Sequence, residues 1–223
     1  FSTTFSYPMY RELRDGSTVT SGMLARLPVA LSVALGEFTA RVDGEVVSGN
    51  YFEVLGVRPA VGRLFTVADD RIKNGHPVVV LSYGAWQARL GGDPTVVGRK
   101  VGVNGQPMTV IGVAGPRFRS VQVGTAPEVF LTMAMKPVAT PGWDEMDRRT
   151  SRWLDIVARL RPGVSLQQAE NALQPLYHAQ LELDLQSWDE APSPGSRERF
   201  MSKRLELLPG ARGRSDLRGD FST

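Results

Sequence analysis

The alternation of Leu27, Val29, Leu31, Val33 and Leu35 with smaller residues constrains this chain more than any other feature. Side chains two apart share one face of a strand, so the run is a half-buried strand that needs both a sheet and a cover. A cover stands upstream, where Phe5, Met9 and Leu13 recur at four-residue spacing, with Ser6 as a cap and Gly16 as a stop. Phe38, Ala40 and Val42 continue the alternation, and Asp43-Gly44 reads as a bulge or bend in one long strand in preference to a tight hairpin turn.

Strands and helices go on intermixing, which makes the fold class α+β. Asn50 with Glu53 is a capping box for a short helix from Tyr51 to Leu55, ended by Gly56. Val78 to Leu81 is a short strand, Ser82 caps a helix through Leu90, and Asp93-Pro94 opens a further turn. Val101 and Val103 before Asn104-Gly105, with Met108, Val110 and Val113 after it, predict a hairpin with a type I′ turn, because Asn and Gly both tolerate positive φ. Glu128 to Met133 is a strand, and Lys136 to Asp147 a loop.

From Trp153 a strand places Leu154, Ile156, Ala158 and Leu160 on one face and Asp155 and Arg159 on the other. Ser165 with Gln168 is a second capping box, opening a helix striped with Leu166, Ala169, Ala172, Leu173, Leu176 and Tyr177, which Pro175 should kink or restart. Trp188 to Arg199 reads as a flexible loop, and Leu205 and Leu207 as a last short strand. The strand from Trp153 and the last strand are expected in one sheet with Leu27 to Leu35, covered by helices Ser6 to Asp15 and Ser165 to Leu181.

Composition narrows the function classes. Hydrophobic residues make up 42% and charged residues 22% of the 223, an ordinary globular balance and not that of a disordered chain. The 26 Lys and Arg exceed the 23 Asp and Glu by only three, and the charges alternate in sign, so the basic stripe of a nucleic-acid binder is missing. Its densest basic stretch, Arg212, Arg214 and Arg218, is partly neutralised by Asp216 and Asp220. Without cysteine there is neither a disulfide framework nor a thiolate metal site. The apolar run Leu27 to Leu35 falls far short of the ~20 residues that span a bilayer. Phe1 stands where an initiator Met would, and the expectation is a domain cut from a longer protein.

No constellation here supports catalysis. His76 and His178 sit in no ligand-spaced cluster and read as a turn residue and a helix-surface residue. Gly56 to Arg63 imitates a phosphate loop, but its glycines are one residue too far apart and Arg63-Leu64 replaces the Lys-Ser or Lys-Thr that would reach phosphate and magnesium. A turn leading to buried Leu64 and Phe65 accounts for it. Asp69-Asp70 lacks a third ligand and reads as a solvated turn. Arg218-Gly219-Asp220 is a coincidental match to an adhesion tripeptide. Trp86, Trp143, Trp153 and Trp188 are scattered over unrelated elements as core and rim residues. The chain is therefore expected to be no enzyme, with no catalytic, cofactor-binding or metal-ligating residue and no cofactor.

Three segments together are more specific. They are V-S-G-N-Y-F-E-V-L-G-V-R-P-A-V-G-R-L-F from Val47, V-V-V-L-S-Y-G-A-W-Q-A-R-L-G-G-D-P-T-V-V-G-R from Val78 and V-N-G-Q-P-M-T-V-I-G-V-A from Val103. In this order and spacing they resemble the periplasmic core domain of MacB-type ABC-transporter permeases. S-Y-P-M-Y-R-E-L-R-D at Ser6 and G-A-R-G-R-S-D-L-R at Gly210 resemble the duplicated orphan permeases of soil bacteria within that group.

The resemblance implies a periplasmic or extracytoplasmic domain of an inner-membrane protein, lying between the first and second transmembrane helices. It implies a ferredoxin-like, membrane-proximal lobe, residues 1–49 plus 151–223, with an inserted β-rich lobe, residues 50–150. The implied function is non-catalytic coupling of cytoplasmic ATP hydrolysis to export by conformational movement. The implied partners are the transmembrane helices of the same permease, an ATPase subunit or domain on the cytoplasmic side, a second permease copy and a periplasmic adaptor. Nucleic acid is not among them, and no partner-contact residue carries over. Both ends of the domain, Ser6 and Leu208, are then expected on one pole, with Asn104-Gly105 away from it. The alternative from another class is a periplasmic ligand- or peptide-binding module.

Overall fold

In the computed structural model, which describes residues 4–35, 38–122, 124–188 and 190–210, the alternating run becomes strand β1 (Thr20–Leu35), paired along its length with β2 (Phe38–Val47). The register runs from Arg26 opposite Val47 to Leu35 opposite Phe38 without a shift, so Asp43 and Gly44 lie in the ladder opposite Ala30 and Val29. They are neither bulge nor turn, and one long strand is in fact two antiparallel ones. The glycine answers a packing need: a Cβ on Gly44 would stand 2.4 Å from Leu31 Cδ1 and 3.1 Å from the Val129 carbonyl oxygen.

The described residues form two compact units, one of residues up to Ala25 with Glu145–Pro209, the other of Arg26–Asp144. In the first unit α1 (Tyr7–Gly16) begins at Ser6, whose hydroxyl accepts from the Met9 amide at 3.3 Å. Phe5 bridges Leu154, and β8 (Asp155–Leu160) lies beside β1, with the Arg161 amide donating to the Val19 carbonyl at 2.9 Å. The long helix α5 (Leu166–Gln186) opens with the expected Ser165/Gln168 capping box. It runs through Pro175 as one helix, since Pro175 and Asn171 are exposed and water is at hand for the carbonyl that loses its partner. Its buried stripe is Ala169, Leu173, Tyr177, Leu181 and Leu185, while Leu166 and Ala172 are exposed.

Two expectations fail here. Residues 205–208 form no strand: the Leu205 and Leu207 amides donate to side chains of α5, Gln174 at 3.0 Å and Glu170 at 2.9 Å. The segment read as a flexible loop holds helix α6 (Pro194–Met201), capped by Ser193 with Pro at its start.

The second unit is built from β1, β2, α2 (Tyr51–Leu55), β3 (Pro59–Gly62), β4 (Val78–Leu81), α3 (Tyr83–Leu90), β5 (Lys100–Val103), β6 (Gln106–Ala114), β7 (Val129–Thr132) and α4 (Lys136–Ala139), the last within the expected loop. Strand β2 pairs β7 in parallel, β7 pairs β4 antiparallel, β4 pairs β6 in parallel, and β6 pairs β5 antiparallel. Strand β5 then returns to β1 at Val33 opposite Val103 and Ala34 opposite Gly102. The six strands thus close on themselves, with β3 attached outside on β6. Cross-strand partners put Leu31, Val33, Val42, Val101, Val103, Met108, Val79 and Val110 on the enclosed face, and all are buried. Outside the ring a second core gathers Tyr51, Phe52, Phe65, Phe118 and Phe130, with ring centroids 5.2 to 6.2 Å apart and several edge-to-face contacts.

The Asn104-Gly105 turn forms as expected, with φ of 49° and 79° between β5 and β6. Asn104 also fastens the seam. Its amide nitrogen donates to the carbonyls of Val138 at 2.9 Å and Ala139 at 3.0 Å, its side-chain oxygen accepts from the Ser32 amide at 2.9 Å, and its backbone N–H donates to the Ser32 carbonyl at 2.8 Å. The Asn50 side chain, in contrast, makes no cap for α2 and accepts from the Ser48 hydroxyl at 2.8 Å. Asn104→Gly keeps the positive φ and removes three side-chain hydrogen bonds, so urea unfolding should show a loss of about 2 kcal/mol. An unchanged midpoint would mean that the seam does not depend on this side chain.

Candidate functional site

Arg26 of β1 and Glu45 of β2 lie on the outer face of the ring, with side chains 1% and 2% exposed and Nη2 2.8 Å from Oε1. Ser120 donates to the same carboxylate oxygen at 2.9 Å, the Tyr51 hydroxyl donates to Oε2 at 2.9 Å, and Arg26 donates to Gln122 Oε1 at 3.0 Å. Burial first, and the Glu45 charge second, push the Tyr51 phenol far above its ordinary range, so it stays a donor. The network ties the segment carrying Ser120 and Gln122, and the helix α2 carrying Tyr51, to the hairpin.

A cleft of about 310 Å³ runs beside this pair, lined by Pro28, Val29 and Ala30 of β1, by Asp43, Gly44 and Glu45 of β2, and by Thr125 and Pro127. Its volume is at the lower end of the range for small-molecule sites. Arg26 and Glu45 in its wall are engaged with each other, which leaves a mostly apolar trough with the exposed Asp43 at its rim. That geometry can seat a side chain, and its walls hold no nucleophile with a base in reach.

The other candidates resolve into scaffolding. Arg63 grips Asp69 through two 2.8 Å hydrogen bonds, and the Thr66 amide adds a third at 2.9 Å. The Arg63 hydrogen bonds, opposed by burial and helped by Thr66, hold the Asp69 carboxyl down at about 2. Asp70 accepts from the amides of Gly49 at 2.9 Å and Ala134 at 2.7 Å. Asp69-Asp70 is therefore not the solvated turn expected but a brace, with a Thr66/Asp69 capping box that the sequence reading missed. Gly56 is the left-handed cap of α2, and Leu64 and Phe65 are buried as expected.

His76 is half-buried in the turn before β4, and His178 on α5 contacts the Lys203 carbonyl at 3.2 Å. The two belong to different units. Among the described residues no group of three His, Cys, Asp or Glu could hold a metal ion, and no helix is long and apolar enough to cross a membrane. Trp86 and Trp153 are buried, while Trp143 is exposed above Lys136, a fully buried cation that donates to the carbonyls of Trp143 and Asp144. Arg212, Arg214, Arg218 and the tripeptide Arg218-Gly219-Asp220 lie outside the described residues.

A third buried carboxylate stands in the first unit. Asp184 of α5 accepts from Arg152 at 2.9 Å, and Arg149 approaches its other oxygen at 3.8 Å. Arg149 also donates to Gln180 at 2.8 Å and lies 4.0 Å from Glu12 of α1. Burial raises the Asp184 carboxyl above its ordinary 3.8, outweighing Arg152, Arg149 and Lys203, which lower it.

Comparison with known proteins decides the class. A family model described as the MacB-like periplasmic core domain matches residues 1–176. The chain belongs to that family. This MacB-like domain is thus an extracytoplasmic domain of an ABC-transporter permease. It is similar to the periplasmic region of MacB from Actinobacillus actinomycetemcomitans, at 19% identity and a TM-score of 0.60 over 80% of this chain and 75% of that one. The extracellular domain of the noncanonic ABC-type transporter YknZ from Gram-positive bacteria gives 16% and 0.59, over 80% and 85%. A permease-protein domain from Porphyromonas gingivalis gives 15% and 0.59, over 91% and 92%. No curated protein matches.

Two outcomes are expected of the buried charges. Arg26→Met strands Glu45 in the interior and should cost about 3–5 kcal/mol in chemical denaturation, much of it recovered in Arg26→Met/Glu45→Leu. Equal stability of the single variant and the parent would refute the pairing. For Asp184 the folded value is raised, so its protonation favours the folded state: that contribution is complete below 3.8 and is lost as pH rises through the folded value. Stability of the parent relative to Asp184→Asn should therefore fall with rising pH in the acidic range, and a rise would contradict the assignment.

Proposed function

We propose that this domain is a non-catalytic coupling body that transmits conformational movement, driven by ATP hydrolysis on the cytoplasmic side, to an export step. The observation that carries the reading is the use made of buried charge. Glu45, Asp69, Asp184 and Lys136 each bind backbone or side chains that tie one segment to another. Units braced in this way suit parts that move without rearranging inside, and movement between positions requires no active site.

The reading gives the domain the transmembrane helices of its own permease and a cytoplasmic ATPase as partners, with a second permease copy opposite and an adaptor beyond. It also makes the helices and strands of the first unit part of a ferredoxin-like, membrane-proximal lobe of residues 1–49 plus 151–223. Residues 50–150 are then the inserted lobe, and Ser6 and Leu208 share the membrane pole.

The chain has no cysteine, so one introduced at exposed Arg41 takes a spin label at one place in the domain. In the full permease with its ATPase in a bilayer, the label-to-label distance between two copies of Arg41→Cys should differ between the nucleotide-free and ATP-trapped states. Identical distance distributions would end the coupling reading. The second reading, a ligand- or peptide-binding module, has the 310 Å³ cleft in its favour.

A further inference from the structure

Between its pairing with β8 and its return to β5, strand β1 has an edge that the sheet leaves open. Which groups face that edge follows from Ser32, whose N–H and C=O are both taken by Asn104. In an antiparallel ladder these directions alternate with a period of two residues, so the N–H and C=O of Ala30 and the C=O of Pro28 point the same way. The opposite strand agrees: Asp43, paired with Ala30, turns its carbonyl away to accept from the Glu128 amide at 2.7 Å. Pro28 therefore stands where its missing N–H costs the β1–β2 ladder nothing. The open edge offers one donor and two acceptors, on exposed Ala30 and Pro28, and both residues belong to the second unit.

The 310 Å³ cleft lies against this edge. Its floor is the outer face of the hairpin, where Pro28 and Ala30 stand opposite Glu45 and Asp43. Thr125 and Pro127, on the way into β7, wall it beyond β2, and no lining residue comes from beyond β1. The trough is thus open along the unused edge. Its charges do not balance. Arg26 and Glu45 cancel in their ion pair, whereas the exposed Asp43 takes part in none of the ion pairs formed among the described residues. Arg41, next along that face, stands opposite Ser32 and does not line the cleft.

We propose that the open edge of β1 and the trough beside it receive an extended polypeptide segment as an added antiparallel strand, with a Lys or Arg two residues before an apolar residue. The proposal deepens the binding-module reading and rests on it. The basic residue faces Ala30, exchanging two main-chain hydrogen bonds with it. Its side chain crosses the alanine methyl to Asp43, two strand spacings of about 4.8 Å away. The apolar residue donates its N–H to the Pro28 carbonyl and lays its side chain over the proline ring into the trough. A peptide suits the site better than a small cation, because only a peptide brings main-chain groups in this register. The Asn104 bonds to Ser32 end the open stretch on the β5 side, so the added strand is short.

The test is an NMR titration of the 223-residue chain with the peptide acetyl-T-K-V-L-T-amide, suited to a weak complex of three main-chain bonds and one ion pair. Binding is expected to shift the amide signals of Val29, Ala30 and Asp43 and to slow hydrogen exchange at Ala30. Ala30→Pro, checked for folding by circular dichroism, deletes the edge donor, spares the β1–β2 ladder and should weaken binding about five-fold. N-methylation of the peptide's lysine keeps both side chains and should weaken it at least as much. Asp43→Lys should also weaken binding about five-fold, and acetyl-T-E-V-L-T-amide should regain it. Glu53→Lys, the same change at an exposed position of the same unit, should leave binding intact. Binding that survives Ala30→Pro or the N-methylation would overturn the added strand and leave a module that binds elsewhere. Self-association of the free chain that Ala30→Pro abolishes would assign the edge to a second copy, which also overturns the proposal. Leucinamide, an apolar cation with no strand to add, separates the two readings. Cleft shifts with it but none with the peptide keep the module and reject the strand, and no shifts with either reject both. The spin-label distances bear on none of these outcomes, so the coupling reading stands or falls separately.

Discussion

An ion pair removed from water has to be satisfied where it stands, and Arg26 with Glu45 imposes that condition on its surroundings. The desolvation of two charges is recovered only with good geometry and extra hydrogen bonds. Glu45 takes them from Tyr51 and Ser120, and Arg26 gives one to Gln122. Those obligations fix where α2 sits, because Tyr51 is its first residue, and with it the aromatic cluster around Phe52 and Phe118. The segment leading to β7 is tied down by the same pair. A well-packed apolar substitute would hold the hairpin as strongly; what the polar set adds is a single arrangement of the pieces around it.

Legibility mostly followed locality, with the Asn50/Glu53 box that does not form and the unread Thr66/Asp69 box as exceptions. The Asn104-Gly105 turn, the Ser165/Gln168 box and the caps at Ser6 and Ser82 depend on residues within a few positions, and each forms as its sequence predicts. Gly44 misled because a glycine beside an aspartate looks like a turn, while its real constraint is Leu31 on the facing strand. Leu205 and Leu207 alternate like a strand, yet their amide partners are Gln174 and Glu170, more than thirty residues back. The buried charges were the least visible. Arg26 has the same parity in β1 as the exposed Pro28 and Ala30, so its position reads as solvent-facing until α2 and residues 120–122 are known to cover it.

Asp69 and Asp70, which looked like chemistry, proved to be fastenings, and the reason is general. A carboxylate held by two arginine nitrogens and a backbone amide, as Asp69 is, is kept ionised and has little left to offer a substrate. The resemblance was carried by segments from Val47 to Ala114, rich in glycine and apolar residues, and membership by the model that matches residues 1–176, neither of which turns on reactivity. A chain can thus announce its relatives clearly while saying little about its cargo.

Closure of the six strands has a bearing on life outside the cytoplasm. A sheet that ends leaves a row of unpaired amides and carbonyls on which another chain can grow, and a ring has no such row. The exception along β1 is the stretch between its pairing with β8 and its return to β5, and there the sequence places Pro28, which has no N–H to give. Along the strand that both units share, a neighbouring copy therefore meets a gap short of one donor.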